Sequence, residues 1–441
     1  MKKSILVVSS IVIIILISLA ISIYMPNKEK IQDEIEDKSI IYTLKEENQK
    51  YGVLNQNGEK IIEPQYDKII IPNQHRAVFV CQNGEETKIL NNKKQEIFKN
   101  YENVQPIELY NLAEEKYEKN VLTYQKNGKY GLISITGKVI LDAKYEEIYS
   151  LGYKENEIIV KDNNKYMIYD SKGKKLIKDE FDSIESDQYY DQENGYKKSG
   201  YIVCKITSDG YRYGYYDYEY SKMLDIEYNQ ISRIVEVQNK DNIYLYAAKN
   251  GQYGVFINNS KIINTQYQTI KYEKDMKLFI VERTGNFGAI NENGVEIIKP
   301  EYSELQVNGI YIYAKKGDEQ KVFNDQGKQV NIPFSTVIEK TNNPEYFLKR
   351  QENKYGIIDS KNNIIIEIQY DMLQEVKNTN MFQAINFDTN ITHIYNNELK
   401  LTLEMIDANM EIIDDQIRVY NESEEYYLDK NGNKIEKDKK Q

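Results

Sequence analysis

His75 and His393 are the two imidazoles of this 441-residue chain, and they stand toward opposite ends of it. A His-centred triad needs its base within hydrogen-bond reach of a nucleophile, and a structural zinc needs four clustered nitrogen or sulfur ligands. Two distant histidines and two distant cysteines meet neither requirement. Cys81 and Cys204 fall in segments that read as strands of different repeats, and they are expected to be small buried hydrophobes rather than a disulfide. No Gly-rich phosphate loop of P-loop or dinucleotide type is present. Asp429-Lys430-Asn431-Gly432 has the start of a calcium loop but lacks the later ligands and the terminal Glu, so it is read as an ordinary turn. Asp407, Asp414 and Asp415 are read as a solvated acidic loop. The 69 Asp and Glu residues are numerous enough to include a glycosidase pair, yet none recurs or stands out. The expectation is a protein without catalytic residues, cofactor or metal, with a cell-envelope enzyme acting on wall polymer as the alternative.

What remains chemically conspicuous is tyrosine, of which there are 40. Aromatic rings stack on sugars and supply amphipathic contact area at interfaces. Whether these rings are ligand platforms or packing depends on the elements that hold them.

The tyrosines fall in register. With the aromatic of a Tyr-Gly pair as position zero, zeros stand at Tyr51, Thr87, Tyr130, Tyr166, Tyr213, Tyr253, Phe287, Gln320, Tyr355, Thr392 and Glu425, with steps of 33 to 47 residues. Four residues on, nine copies carry Asn or Asp: Asn55, Asn91, Asp170, Asp217, Asn291, Asn324, Asp359, Asn396 and Asp429. At plus seven, six copies carry Gly: Gly58, Gly137, Gly173, Gly294, Gly327 and Gly432. Asx opening a turn that Gly closes at positive φ is a local mechanism for reversing the chain. An aromatic returns at plus fourteen or fifteen (Tyr66, Tyr145, Tyr302 and Tyr370 among nine), and an aliphatic follows three residues later.

The flanking segments are short and rich in β-branched and aromatic residues, which reads as strand. Segments such as Glu157–Val160, 244–248 and 278–282 precede the zeros. Asn127-Gly128, Asn163-Asn164, Asn250-Gly251 and Thr284-Gly285 then mark hairpins. Each repeat is thus expected to be a three-stranded meander whose last strand carries paired aliphatics such as Ile61-Ile62 and Ile297-Ile298. Pro64 and Pro300 are expected to stop that ladder, because proline donates no sheet hydrogen bond.

Lys50 to Ile69, reading KYGVLNQNGEKIIEPQYDKI, and Asn286 to Leu305 resemble the WG (KWG) repeat of bacterial proteins step for step. The resemblance covers roughly residues 40–436, with Tyr or Phe where the family has Trp; the chain has no Trp. It implies an all-β repeat array, often exported or surface-located, and brings no catalytic residues. About eleven repeats are expected, in an open twisted array. Propeller-like closure is the alternative, disfavoured because a propeller has four to eight blades, usually of four strands.

Residues 1–25 read as a transmembrane signal anchor: Lys2 and Lys3 precede an uncharged run from Ile5 to Met25, long enough to span a bilayer. A cleaved signal peptide, giving a secreted protein, is the competing reading. Residues 26–39 form a charged stalk, 40–436 the repeat array and 437–441 a charged tail. Only about four residues precede the span, so no cytoplasmic output domain is expected there. The net charge of −11 argues against nucleic acid as a partner. Protein or cell-wall glycan is the expected partner class, besides the membrane met by the first helix. Tyrosines at zero and plus fourteen or fifteen are in phase and are assigned to packing. Out-of-phase tyrosines are the better surface candidates: Tyr189, Tyr190, Tyr215, Tyr216 and Tyr218, with Tyr220, Tyr311, Tyr313, Tyr426 and Tyr427 behind them. The first group surrounds the longest step, where Asp187 to Ser199 is expected to add loop, and loops on repeat arrays often carry function.

Overall fold

The computed structural model describes residues 39–109, 116–151, 154–191, 195–234, 242–413 and 416–436. The anchor, most of the stalk, the C-terminal tail, Asp414 and Asp415 lie outside the described residues. Among the described residues no helix is long and apolar enough to cross a membrane. The described residues are all-β, and their strands form eleven small antiparallel sheets, none of which closes on itself. It divides into two units, Met1–Ser183 and Ile184–Gln441.

Each sheet is a meander, with strands lettered a to d in chain order. Eight sheets have four strands where the sequence predicts three. The additional strand is the Tyr-Asp-x-Ile element. Lys68–Ile70 and Glu147–Tyr149 pair with the strand that follows them, so the element begins the next sheet instead of ending its own repeat. In these two copies it is three residues long, too short to show alternation. The strand-count objection to propeller blades falls with this correction. Two of the three-stranded sheets carry isolated bridges in place of strand d, at Leu90–Glu96, Tyr166–Phe181 and Tyr169–Lys175.

The predicted turns form as expected. Each of the nine Asx side chains accepts two backbone amides; Asn55 Oδ1 takes those of Asn57 at 3.0 Å and Glu59 at 2.9 Å. The six plus-seven glycines all sit at positive φ. Asp429 does the same work, its Oδ1 accepting from Asn431 and Asn433. Both residues of Asn127-Gly128, Asn250-Gly251 and Thr284-Gly285 have positive φ, as a type I′ hairpin requires.

The glycine of Tyr-Gly has a different task. Gly52 and Gly288 have ordinary strand backbone in c, and strand d bulges against them. A Cβ on Gly288 would lie 2.6 Å from Ile298 O and 2.6 Å from Pro300 N. The bulge lets the zero aromatic pair with the later one, as Tyr51 with Tyr66 and Phe287 with Tyr302. Pro64 and Pro300 therefore do not end the ladder: they lie inside strands Lys60–Tyr66 and Glu296–Tyr302. Strand d is a sheet edge, where a missing N–H forfeits no ladder bond.

Within each unit, consecutive sheets bury facing surfaces. In the second unit, Leu278 to Val281 of one strand b are all buried. Phe279 and Val281 pack with Tyr244 and Val255 of the preceding sheet, while Leu278 and Ile280 pack with Ile312 and Ala314 of the following one. Strand side chains alternate between faces, so an unbroken apolar run signals a strand covered on both sides. In the first unit, Phe79 and Cys81 face the first sheet and Val78 and Val80 the third. Both cysteines are buried and neither is in a disulfide, and burial pushes the Cys81 thiol up to about 12.

A recurrent clip joins neighbouring sheets. Asp67, just after the strand-d aromatic, accepts Lys50 Nζ at 2.7 Å and the Gly84 amide of the next hairpin at 2.9 Å. Asp371 accepts Lys354 and the Phe387 amide in the same way, and Asn229 accepts the Asn250 amide at 2.8 Å. The Lys50 and Lys354 ammonium groups and these amides hold the Asp67 and Asp371 carboxyls below their ordinary range.

Candidate cleft of the fifth and sixth sheets

The register breaks at the fifth sheet, built from strands Ser183–Asp191, Gly195–Thr207, Gly210–Asp217 and Lys222–Tyr228. The predicted insertion is not extra loop; apart from residues 192–194, outside the described set, it lengthens strands a and b. The sixth sheet follows with Gln230–Arg233, Tyr244–Lys249, Gln252–Ile257 and Ser260–Tyr267. The two sheets share a core of Tyr215, Leu224 and Tyr228 with Ile231, Leu245 and Phe256.

Beside that core lies a closed ring of polar side chains. Tyr215 donates its hydroxyl proton to Asp187 Oδ2 at 2.6 Å, and its oxygen lies 2.9 Å from Ser199 Oγ. The single tyrosine proton is committed to Asp187, so Ser199 donates to Tyr215 and in turn accepts from Arg233 Nη2. Arg233 Nε closes the ring on Asp187 at 3.0 Å, and the ion-paired side chains are only 6% and 8% exposed. Burial, then the neighbouring Asp187 carboxylate, raises the Tyr215 phenol. A buried ion pair persists when further hydrogen bonds satisfy it, and this ring supplies them.

Arg233 and Ser199 also line a cleft of 510 Å3, together with Tyr189, Lys198, Asp217, Tyr218, Ser221, Lys222, Met223, Asn242, Ile243, Asn258 and Asn259. The volume lies in the roughly 300–1,000 Å3 range of ligand pockets. The Arg233 guanidinium carbon stands 5.1 Å from the Tyr189 ring centre, and Lys198 Nζ stands 4.0 Å from that of Tyr201 and 6.0 Å from that of Tyr218. Tyr201 stacks on Tyr220 at 5.6 Å. Tyr220 occupies the plus-seven position with φ of 66°, where six other copies have glycine. Lys94, Asn362 and Leu399 hold the same backbone at plus seven of their copies, so this conformation belongs to the turn of the repeat.

The sequence candidates separate here. Tyr189 and Tyr218 are half-buried on the cleft wall, and Tyr190 is exposed. Tyr215 and Tyr216 are 0% and 5% exposed, so neither offers a surface ring; Tyr313 is likewise buried. Tyr215 and Tyr216 are adjacent in one strand and point to opposite faces, and both faces are covered. Asp187, Lys198, Ser199 and Arg233 went unrecognised in the sequence. The available signal was Arg233, one of six arginines, ending a short strand beside the longest repeat step.

The histidines serve other ends. His75 Nδ1 meets Ile40 O at 2.7 Å in the first unit. In the second, His393 Nδ1 lies 2.6 Å from the buried Tyr370 hydroxyl and Nε2 lies 2.9 Å from Glu404, a polar line that runs into the core.

A family model described as a WG containing repeat matches residues 51–74, 130–166, 287–318 and 355–382, each segment opening on a zero aromatic. No curated protein matches the chain. Solved structures that overlap it include a eukaryotic initiation factor at 10% identity and TM-score 0.26, covering 83% of this chain and 95% of that one. The dihydro-heme d1 dehydrogenase NirN overlaps at 10% identity and TM-score 0.22, over 79% and 70%. PorZ, a surface component of the type-IX secretion system of Porphyromonas gingivalis, does so at 10% and 0.19, over 76% and 52%. Overlaps this loose carry no argument about function.

Proposed function

The chain belongs to the WG containing repeat family, and on that premise we propose that it is a non-enzymatic binding or scaffold module displayed outside the cytoplasm. Its N-terminal apolar run holds it to the membrane, and the cleft of the fifth and sixth sheets contacts a protein or cell-wall glycan. The observation that carries this reading is the cleft itself. It gathers two half-buried tyrosines, three cations and three asparagines around a hydrogen-bonded ring at the place where the repeat departs from its own pattern. Elsewhere the repeated aromatics pair with each other across strands c and d, which consumes them in packing. Basic Lys2 and Lys3 before the run from Ile5 to Met25 support the orientation.

Binding of the full chain to isolated wall polymer, compared with a Tyr189→Ser/Tyr218→Ser variant, tests the reading. At least tenfold weaker binding by the variant is expected, with no release of reducing ends by either protein. Equal binding by both, or turnover of the polymer, contradicts it.

A further inference from the structure

We propose that the open edge of the first sheet takes residues 33–36 of this same chain as its strand a. The first sheet consists of Thr43–Glu47, Lys50–Leu54 and Lys60–Tyr66. Its zero aromatic Tyr51 lies in the middle strand, which makes the three b, c and d. The other ten sheets each pair a strand a with b, so among the described residues Thr43–Glu47 is the one strand b without that partner. An open edge presents unpaired amides and carbonyls and is a template for a further strand. The side chains agree. Leu44 is 49% exposed, whereas Val80, Ile159 and Ile280, at the same place in strands b that have a strand a, are 0%, 0% and 8% exposed.

Strand a is the Tyr-Asp-x-Ile element, and Asp33-Glu34-Ile35 repeats its Asp-x-Ile part, as in Asp67-Lys68-Ile69. Ile35 stands 16 residues before Tyr51; Leu305 stands 15 before Gln320, and Ile231 stands 22 before Tyr253. The aliphatic pairs with the strand-b residue just before the partner of the zero position: Ile69 with Cys81, Ile148 with Val160 and Ile270 with Val281. Tyr51 pairs with Glu46, so Ile35 falls opposite Lys45, Glu34 opposite Glu46 and Glu36 opposite Leu44. Nine residues separate Ile35 from Lys45, between the eight that separate Leu305 from Ala314 and the eleven that separate Ile69 from Cys81. The chain is therefore long enough to turn back. Asp67 and Asn229, two residues before their aliphatics, accept the hairpin amides of Gly84 and Asn250; the matching amide for Asp33 is that of Asn48. With the apolar run to Met25 in the membrane, as proposed above, this pairing leaves residues 26–32 as the spacer. At roughly 3.5 Å per residue they reach about 25 Å, which holds the first sheet near the bilayer.

Oxidative cross-linking of the full chain in detergent tests the register. Ile35→Cys/Lys45→Cys is expected to close an intrachain disulfide at least tenfold faster than Ile35→Cys/Glu47→Cys, because only directly opposed residues meet the geometry of the bond. Equal rates, as for a free tether, overturn the pairing. A disulfide between chains instead gives the edge to a second copy and overturns the same-chain strand. Hydrogen exchange supplies a second reading. Neighbouring residues of a strand point their amides to opposite sides, so Glu34→Pro/Ile35→Pro removes the one that donates to the edge. The peptide carrying Thr43–Glu47 is then expected to exchange at least tenfold faster, with strand Leu278–Arg283 unchanged. Glu34→Lys is expected to slow exchange there, since it replaces a like charge opposite Glu46 by an opposite one. An unaltered Thr43–Glu47 in the proline variant, or faster exchange in Glu34→Lys, contradicts the proposal.

Discussion

Replacing Asp187 by Ala strips the buried ring of its common acceptor. Two donors lose their partner at once, the Tyr215 hydroxyl at 2.6 Å and Arg233 Nε at 3.0 Å. The arginine is the costly one, because its side chain is 6% exposed and cannot turn its charge to water without moving strand Gln230–Arg233. Removing one partner of a buried ion pair costs about 3–5 kcal/mol, and the unsatisfied tyrosine hydroxyl, worth about 1–3 kcal/mol alone, overlaps with that loss rather than adding to it. The expected destabilisation is therefore about 3–5 kcal/mol. It is read in urea from the transition of the second unit, followed by circular dichroism because the chain has no Trp. Pairing the change with Arg233→Met removes the stranded charge, and Asp187→Ala/Arg233→Met is expected to recover much of the loss. A single-variant cost below about 1 kcal/mol, in the range of an exposed pair, or a double variant as poor as the sum of the singles, refutes the ring.

Three further outcomes follow from the fold. Gly288→Ala forces a methyl group against Ile298 O and Pro300 N, and overpacking of this kind costs about 1–3 kcal/mol, measurable by the same denaturation; an unchanged midpoint would mean that strand d does not bulge there. The depressed carboxyls of Asp67 and Asp371 give stability that is full above the unfolded value near about 3.9 and is lost as pH falls through their lower folded values. Asp371→Asn is accordingly expected to lose less stability than wild type between neutral and acid pH, in melts across that range. Burial and the raised Cys81 thiol predict no alkylation of either cysteine in the native chain at pH 8 and two equivalents in urea, counted by mass spectrometry; a native disulfide would give none in urea.

Local mechanisms were the legible part of the sequence. Asx with Gly three residues later fixes a turn within its own residues, and all nine Asx caps stand where the spacing places them. Strand a was not legible, because three residues such as Lys68–Ile70 acquire their identity from the strand they pair with. Nor was the role of Gly52, since its need for space comes from a chain segment ten residues on that bulges toward it. Tyr215 and Tyr216 show the same limit: periodicity says which face a ring occupies, but a strand between two sheets has no free face. The long step marked the sheet where the candidate cleft lies. The chemistry of that cleft was not legible, because Asp187, Ser199, Tyr215 and Arg233 come together only through the pairing of two sheets.

Hydroxyl-radical footprinting of the full chain, with and without bound wall polymer, asks directly where the ligand sits. Protection confined to the peptides that carry Tyr189 and Tyr218 is expected, with Tyr51, Tyr130 and Tyr355 unchanged. Protection spread over those repeated tyrosines, or absent from the cleft, would contradict a binding site built where the repeat breaks its register.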